Sequence, residues 1–138
     1  MTNHKNDIYS PWRLRSYVDA RGRLVVAEWF ATVSSKEKAR VLRKLEYLVD
    51  QPRSEWKRPY FDQLHGNAAT LGEIILKKVG GVQTRLIGFF DDTRGIFNIV
   101  LVVTKKEKQY EPKQWVEMAL SGVKDIKINP ERANDWYP

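Results

Sequence analysis

The sequence predicts an α+β fold in which a small antiparallel β-sheet is packed by an N-terminal helical hairpin and a C-terminal helix. Apolar residues recur every three or four positions between residues 24 and 50, which is the period of amphipathic helices. Three apolar segments follow between residues 71 and 104, separated by short turn sequences. A last helical period follows Pro112. This order indicates helices packed on one face of the sheet.

A strand and a helical hairpin come first. The segment WRLRSYVD, residues 12–19, alternates apolar or small side chains with Arg and Tyr, which predicts a half-buried strand. Ser34 and Glu37 have the spacing of a capping box and predict the start of the second helix, while Pro52 predicts its end. The apolar stripes of the two helices are Val26, Trp29, Phe30 and Val33, then Val41, Leu42, Leu45, Leu48 and Val49.

Three neighbouring antiparallel strands are predicted after a loop over residues 51–70. Their sequences are LGEIILKKV, VQTRLIGFFD and GIFNIVLVVT. Gly80 and Gly81 join the first two with the length of a tight hairpin, because glycine tolerates the positive φ of such turns. The run IVLVV, residues 99–103, is apolar at consecutive positions and predicts a central strand buried on both faces. The last helix is predicted over residues 111–123.

The two ends of the chain are predicted to be arms. Residues 1–10 and 128–138 are polar or contain proline and show no periodicity. Trp136 is expected to pack back on the domain. A chain of 138 residues has the size of one ordinary domain, so we expect a single domain over residues 1–138 with its core at about 12–121.

The composition favours polyanionic partners and excludes several kinds of site. The chain has 24 Lys and Arg against 17 Asp and Glu, a formal net charge of +7. Cysteine is absent and the histidines are His4 and His65, which excludes thiolate and histidine-rich metal sites. We therefore expect no metal and no cofactor. No apolar run approaches the roughly 20 residues that cross a bilayer, and the N-terminus lacks the apolar core of a secretory signal. We expect a cytoplasmic protein without a membrane partner.

Four segments, in order along the chain, carry a resemblance to a known family. They are YVDARGRLVVAEWF, FDQLHGNAATLGEIILKK, GVQTRLIGFFDD and VLVVTKKEKQYEPKQWVEMAL. Over residues 12–121 the chain resembles the RelE/ParE superfamily of type II toxins, especially its HigB-like, phage-associated branch. The resemblance implies a RelE-like fold and a toxin that cleaves mRNA on the ribosome, as a metal-independent endoribonuclease. ParE-type members instead inhibit DNA gyrase, and a degenerate relative acting as a binding protein is a third possibility.

The resemblance assigns candidate catalytic roles to four residues. Arg85 matches an arginine of the middle strand, and its permanently charged fork suits a scissile phosphate. Lys105 and Lys106 match the basic pair that ends the last strand, where they would stabilise phosphorane charge or transfer a proton. Tyr110 matches a tyrosine that transfers a proton or stacks on an mRNA base. The alternatives are an ion pair between Arg85 and a carboxylate such as Glu73, and packing of Tyr110 under the last helix.

Three further residues are candidate RNA contacts. Lys108 extends the basic pair. Strand alternation allows only one of Lys77 and Lys78 to share a face with Arg85, and the resemblance favours Lys78. His65 is the histidine of the core region, and several relatives use a histidine as acid or base, but His65 lies in the loop before the sheet, where a structural hydrogen bond is the alternative.

The chain departs from the family pattern at two places. Ile75 and Leu76 stand where many relatives have a second arginine, which puts an activity that depends on that arginine in doubt. The segment KKEKQYEP is longer than the commoner spacing between basic pair and proline, so the match at Tyr110 is open. The partners that the resemblance implies are mRNA, the ribosome and an antitoxin with a helix-turn-helix domain.

Overall fold

A computed structural model describes residues 12–136 and confirms the α+β class. The predicted arm over residues 1–10 lies outside the described residues. Within the described range, no helix is both long and apolar enough to span a membrane. The strands and helices are β1 (Arg13–Tyr17), α1 (Val25–Ala31), α2 (Ser35–Val49), β2 (Phe61–Gln63), β3 (Gly72–Val79), β4 (Val82–Asp91), β5 (Ile96–Lys106), β6 (Gln109–Glu111), α3 (Trp115–Ile128) and β7 (Ala133–Asp135).

The seven strands form one mixed sheet with β5 at its centre. The order is β2-β3-β4-β5-β1-β7, and β6 pairs with β5 beyond the end of β1. β3, β4 and β5 are antiparallel neighbours, as predicted, whereas β2, which is antiparallel to β3, lies in the segment predicted to be a loop. β1, however, pairs with β5 in parallel, with Leu14 opposite Phe97. The sheet is therefore not purely antiparallel, because the helical hairpin and β2 to β4 carry the chain across before β5 comes to lie beside β1.

Helices cover both faces of the sheet, so the prediction of helices on one face is wrong. Adjacent residues of the central strands are buried on opposite sides, as Leu86 and Ile87 show, and each face needs an apolar cover. The core layer between one face and the helices α1 and α2 includes Leu14, Val26, Val41, Leu45, Leu48, Phe61, Leu86 and Phe97. The core layer between the opposite face and α3 includes Leu71, Ile87, Val103, Ala119, Val123 and Ile126.

The C-terminal stretch differs from the predicted arm. Asn134 lies opposite Ser16 in the antiparallel pair of β7 with β1, and Ala133 is buried. Trp136 packs on Phe30 with ring centroids 5.5 Å apart. A strand of three residues shows no periodicity, and its pairing depends on the free edge of β1, which the local sequence does not reveal.

The start of α2 is fixed by its cap, and its side chains hold the β3–β4 hairpin. Ser34 Oγ accepts from the Glu37 amide at 3.2 Å. Glu37 does not complete the predicted capping box: its Oε2 accepts from the Gly80 amide at 2.8 Å. Further along, Arg40 donates to the Leu76 and Lys78 carbonyls. The helix is thereby anchored to the end of β3.

A β-bulge interrupts β3 where α2 holds it. Ile75 lies opposite Arg85, but Lys77 lies opposite Thr84, so Leu76 is the extra residue. Lys77 has a φ of 61°, in the left-handed region. Lys44 Nζ donates to the Leu76 carbonyl at 3.0 Å. The bulge resets the alternation of β3 and decides which lysine faces which side.

Candidate functional site

Three polar side chains meet on the otherwise apolar face that α3 covers. Arg85 Nη1 donates to Glu73 Oε2 at 2.7 Å and to Tyr110 Oη at 3.3 Å. Tyr110 Oη donates to Glu73 Oε1 at 2.5 Å. The side chains of Arg85 and Glu73 are only 7% and 2% exposed. We call these three residues the polar network.

Strand register explains why the three side chains meet. Glu73 lies opposite Ile87 and Arg85 lies opposite Ile75, so alternation puts both on one face. Tyr110 reaches the same face because a two-residue turn after Lys106 folds β6 back along β5. The ion pair between Arg85 and Glu73, which the sequence left open as the alternative for Arg85, is present.

The surroundings of Tyr110 keep its hydroxyl protonated at neutral pH. Burial raises the pKa of Tyr110 above its ordinary value, and so do the hydrogen bond to Glu73 and the negative charge of that carboxylate. Arg85 and Arg58 act in the opposite direction. Tyr110 therefore stays protonated and donates a hydrogen bond to Glu73. The charge of Arg85 is already neutralised by a buried carboxylate, so its guanidinium is not free for a phosphate.

A cationic row crosses the sheet beside this network. Lys78 and Lys105 both lie opposite Gln83, and Tyr110 lies opposite Lys105. Cross-strand partners point to the same side, so these four residues share the face of Arg85. The bulge places Lys78 in this row, whereas Lys77 is turned towards α2. We call Lys78, Gln83, Lys105 and Tyr110 the cationic row.

An open groove lies next to the end of the row. Its volume is about 400 Å³. The Trp115 ring lies 4.8 Å from the Tyr110 ring, and Lys105 Nζ lies 5.8 Å from the centre of the Tyr110 ring. Both rings are partly buried. Cations beside partly exposed rings suit single-stranded RNA, since the cations attract phosphates and the rings stack on bases. The basic groove is lined by Lys108, Gln109, Tyr110, Lys113 and Trp115.

Two predicted residues do not join this group. Lys106 lies opposite Gln109 and follows Lys105, so alternation turns it to the other face of the sheet. His65 is exposed and precedes the 3-10 turn Gly66–Ala68, near the start of β3 and away from Lys78 at its end. Lys108, by contrast, lies in the β5–β6 turn and lines the groove.

Sequence reasoning missed several residues that complete the site. Glu73 was considered only as a partner of Arg85, and its bond to Tyr110 was not predicted. Trp115 and Lys113 lie in the range predicted for the last helix, and neither was singled out. Their closeness to Tyr110 in the sequence was a signal that Lys113 and Trp115 could belong to the same site.

Among residues 12–136, no group of three or more His, Asp or Glu side chains is arranged to hold a metal ion.

Comparison with known proteins gives one match. A family model described as phage derived protein Gp49-like (DUF891) matches residues 28–124, more than half of the 138 residues. The matched range extends from α1 into α3 and contains the polar network and the cationic row. No curated protein and no solved structure gives a significant match.

Proposed function

The chain belongs to the Gp49-like family of phage-derived proteins, and from this premise we propose that it is a toxin that cleaves mRNA on the ribosome. The family is associated with RelE-like toxins and toxin–antitoxin pairs. Within the proposal, the chain is a metal-independent endoribonuclease of the HigB-like branch and acts where ribosomes are, in the cytoplasm.

The cationic row is the observation that carries the proposal. Its four residues come from four adjacent strands, which are about 4.8 Å apart. The row therefore spans about 14 Å from Lys78 to Tyr110 and ends at the basic groove. Two lysines along a rigid sheet suit the phosphates of an RNA strand, and Tyr110 and Trp115 offer rings to its bases.

The geometry suggests roles for the residues of the row. In the proposed reaction the 2′-hydroxyl loses its proton to solvent water, its oxygen attacks the neighbouring phosphorus to form a 2′,3′-cyclic phosphate, and the bond to the 5′-oxygen breaks. Lys105 lies beside Tyr110 and would stabilise the added negative charge, with support from Lys78. Tyr110 is protonated at neutral pH, so it can donate a proton to the leaving 5′-oxygen but cannot take one from the 2′-hydroxyl. No residue of the row is a ready base for the 2′-hydroxyl, which fits a need for the ribosome to orient the substrate.

Arg85 and Lys106 have more distant roles in this proposal. Arg85 would reach a phosphate only after Glu73 releases its guanidinium. Lys106 is exposed on the other face at the strand end and would contribute to attraction of RNA rather than to chemistry.

A second candidate function is inhibition of DNA gyrase by surface contact. The observation that favours it is the engagement of Arg85 by Glu73, which leaves the best phosphate ligand occupied. This function predicts that Lys105→Ala keeps toxicity, while substitutions on the exposed side of α1 and α2 abolish it. Expression without growth arrest would favour a degenerate binding protein instead.

The proposal includes an antitoxin partner with a helix-turn-helix domain. An acidic segment of that partner would complement the cationic row and the basic groove, and it would exclude RNA from both.

The test is cleavage in a reconstituted translation reaction, with mRNA ends mapped by primer extension. We expect cuts on ribosome-bound mRNA and none on naked mRNA. Lys78→Ala/Lys105→Ala should lower the cleavage rate roughly 100-fold. Lys124→Ala/Lys127→Ala is the matched control, since it also removes two charges and both lysines are exposed on α3, outside the row and the groove. Equal cleavage of naked mRNA, or a row variant as active as this control, would contradict the proposal.

A further inference from the structure

The polar network aims two donors at one anion. Arg85 Nη1 and Tyr110 Oη donate to different oxygens of the Glu73 carboxylate, at 2.7 and 2.5 Å. A phosphate group offers the same arrangement, with one oxygen for a guanidinium and a neighbouring oxygen for a hydroxyl. Glu73 therefore occupies donors that would serve a bound phosphate equally well.

The donors also exceed what Glu73 satisfies. Arg85 Nε is buried and has no hydrogen-bond partner in the described part of the chain. A buried donor without a partner costs free energy. Each Glu73 oxygen accepts one of these bonds and neither accepts from Nε, whereas a tetrahedral phosphate has further oxygens, one of which can face Nε. The unpaired donor thus points to a larger anion than the one present.

Tyr110 connects this network to the basic groove. Its ring lines the groove beside Trp115, and its hydroxyl reaches Glu73. A movement of Tyr110 alone would open the network to the groove, while the core under α1 and α2 stays in place. Lys105, Lys108 and Lys113 surround this opening and would attract an anion to it.

We propose that Glu73 is an internal stand-in for a substrate phosphate. In the free protein its carboxylate holds Arg85 and Tyr110 in the geometry that a phosphate needs and keeps phosphate out. A phosphate group displaces the carboxylate when the site is loaded. Glu73 is therefore a positioning residue that also represses the free protein. The identification of this phosphate with RNA rests on the proposed function, but the anion site does not.

Thermal unfolding of Glu73→Gln in inorganic phosphate tests this proposal, with chloride at equal ionic strength as the reference. The substitution keeps the shape of the side chain and removes its charge. We expect the Tm of Glu73→Gln to rise by roughly 3–6 °C at phosphate ten times its Kd, while the wild type responds equally to both salts. Asp62→Asn is the matched control, because Asp62 lies opposite Glu73 on β2 but bonds Arg58 instead.

Two results would overturn the stand-in: a phosphate response of Glu73→Gln no larger than that of Asp62→Asn, or wild type that binds phosphate as tightly as Glu73→Gln. If Glu73→Gln does not fold in chloride, its refolding yield in phosphate becomes the readout. Recovery in phosphate supports the proposal. Failure in both salts overturns it when Glu73→Leu/Arg85→Met, which lacks both charges, folds normally in chloride.

The same variants separate this proposal from the proposed function. If phosphate stabilises Glu73→Gln but the wild type does not cleave mRNA, the nuclease proposal is rejected and the anion-site proposal stands. If the wild type cleaves mRNA but phosphate does not stabilise Glu73→Gln, the proposed role of Glu73 is rejected and the nuclease proposal stands.

Discussion

The two faces of the sheet are built differently. Under α1 and α2, five aromatic rings pack with centroids 4.9–5.7 Å apart, from Trp12, Trp56, Phe61, Phe90 and Phe97. Under α3, the same sheet buries a carboxylate and a guanidinium. Aromatic packing stabilises a fold directly, whereas a buried ion pair contributes little beyond what apolar residues would. The face under α1 and α2 therefore contributes more to the stability of the fold, whereas the face under α3 is less stabilising because it holds the polar network.

Removal of a ring from the aromatic face should have the largest effect. Phe97 is fully buried and contacts three other rings. We expect Phe97→Ala to lower the free energy of unfolding by about 4 kcal/mol, because it leaves a cavity. Urea denaturation measures this loss. Phe97→Leu, which keeps most of the volume, should lose less than about 1.5 kcal/mol. Equal losses in the two variants would show that this face does not depend on close packing.

The polar network should behave as a coupled pair. Arg85→Met leaves Glu73 charged and buried, so we expect a loss of about 3 kcal/mol. Glu73→Leu/Arg85→Met removes both charges and should return to within about 1 kcal/mol of wild type. A double-mutant cycle from denaturation curves gives the coupling. Additive losses would mean that Arg85 and Glu73 do not interact energetically and would contradict the coupling.

A smaller effect is expected at the bulge, which directs Lys77 and Lys78 to different faces. Lys77→Gly should raise the free energy of unfolding by about 0.5–1 kcal/mol, because glycine adopts positive φ without strain. Lys77→Val should lower it. Glu107→Gly is a matched comparison, since Glu107 has a φ of 58° in the β5–β6 turn. A gain for Lys77→Val would contradict the geometry of the bulge.

The smallest effect is expected from alkaline pH. The pKa of Tyr110 is raised in the folded protein, so the unfolded chain loses this proton first, near pH 10. The contribution of Tyr110 is fully present below pH 10 and is lost as the pH rises towards the folded pKa. Urea denaturation between pH 8 and 11 should show a shallower decline for Tyr110→Phe than for the wild type. The pKa of Tyr17 is also raised, so the slope of stability against pH is measured for Tyr17→Phe as well and compared with that of Tyr110→Phe.

The sequence predicted the parts of the fold that have local signals. The stripes of α2, its Ser34 cap and the three antiparallel strands each depend on spacing within one segment. The parallel pairing of β1, the strand β7 and the second helical face depend on distant segments and were missed. β6 was missed because a three-residue strand has no period.

The candidate site was predictable in composition and less so in arrangement. Arg85, Lys105 and Tyr110 were proposed from the family resemblance, and the register brings them to one face. The choice of Lys78 came from resemblance, because strict alternation from Glu73 would have turned Lys77 towards Arg85. Only the bulge reverses that choice, and its supports, Arg40 and Lys44, lie far away in the sequence.

The place of β1 between β5 and β7 sets an order for biosynthesis. Its parallel partner β5 is translated about eighty residues later and its other partner, β7, later still. A nascent chain can form α1 and α2 early, but β1 can pair only after its partners β5 and β7 have been translated. The sheet closes only once the segment up to Asp135 has left the ribosome. The strands that carry the cationic row are thus translated before the β1 edge of the sheet can be completed.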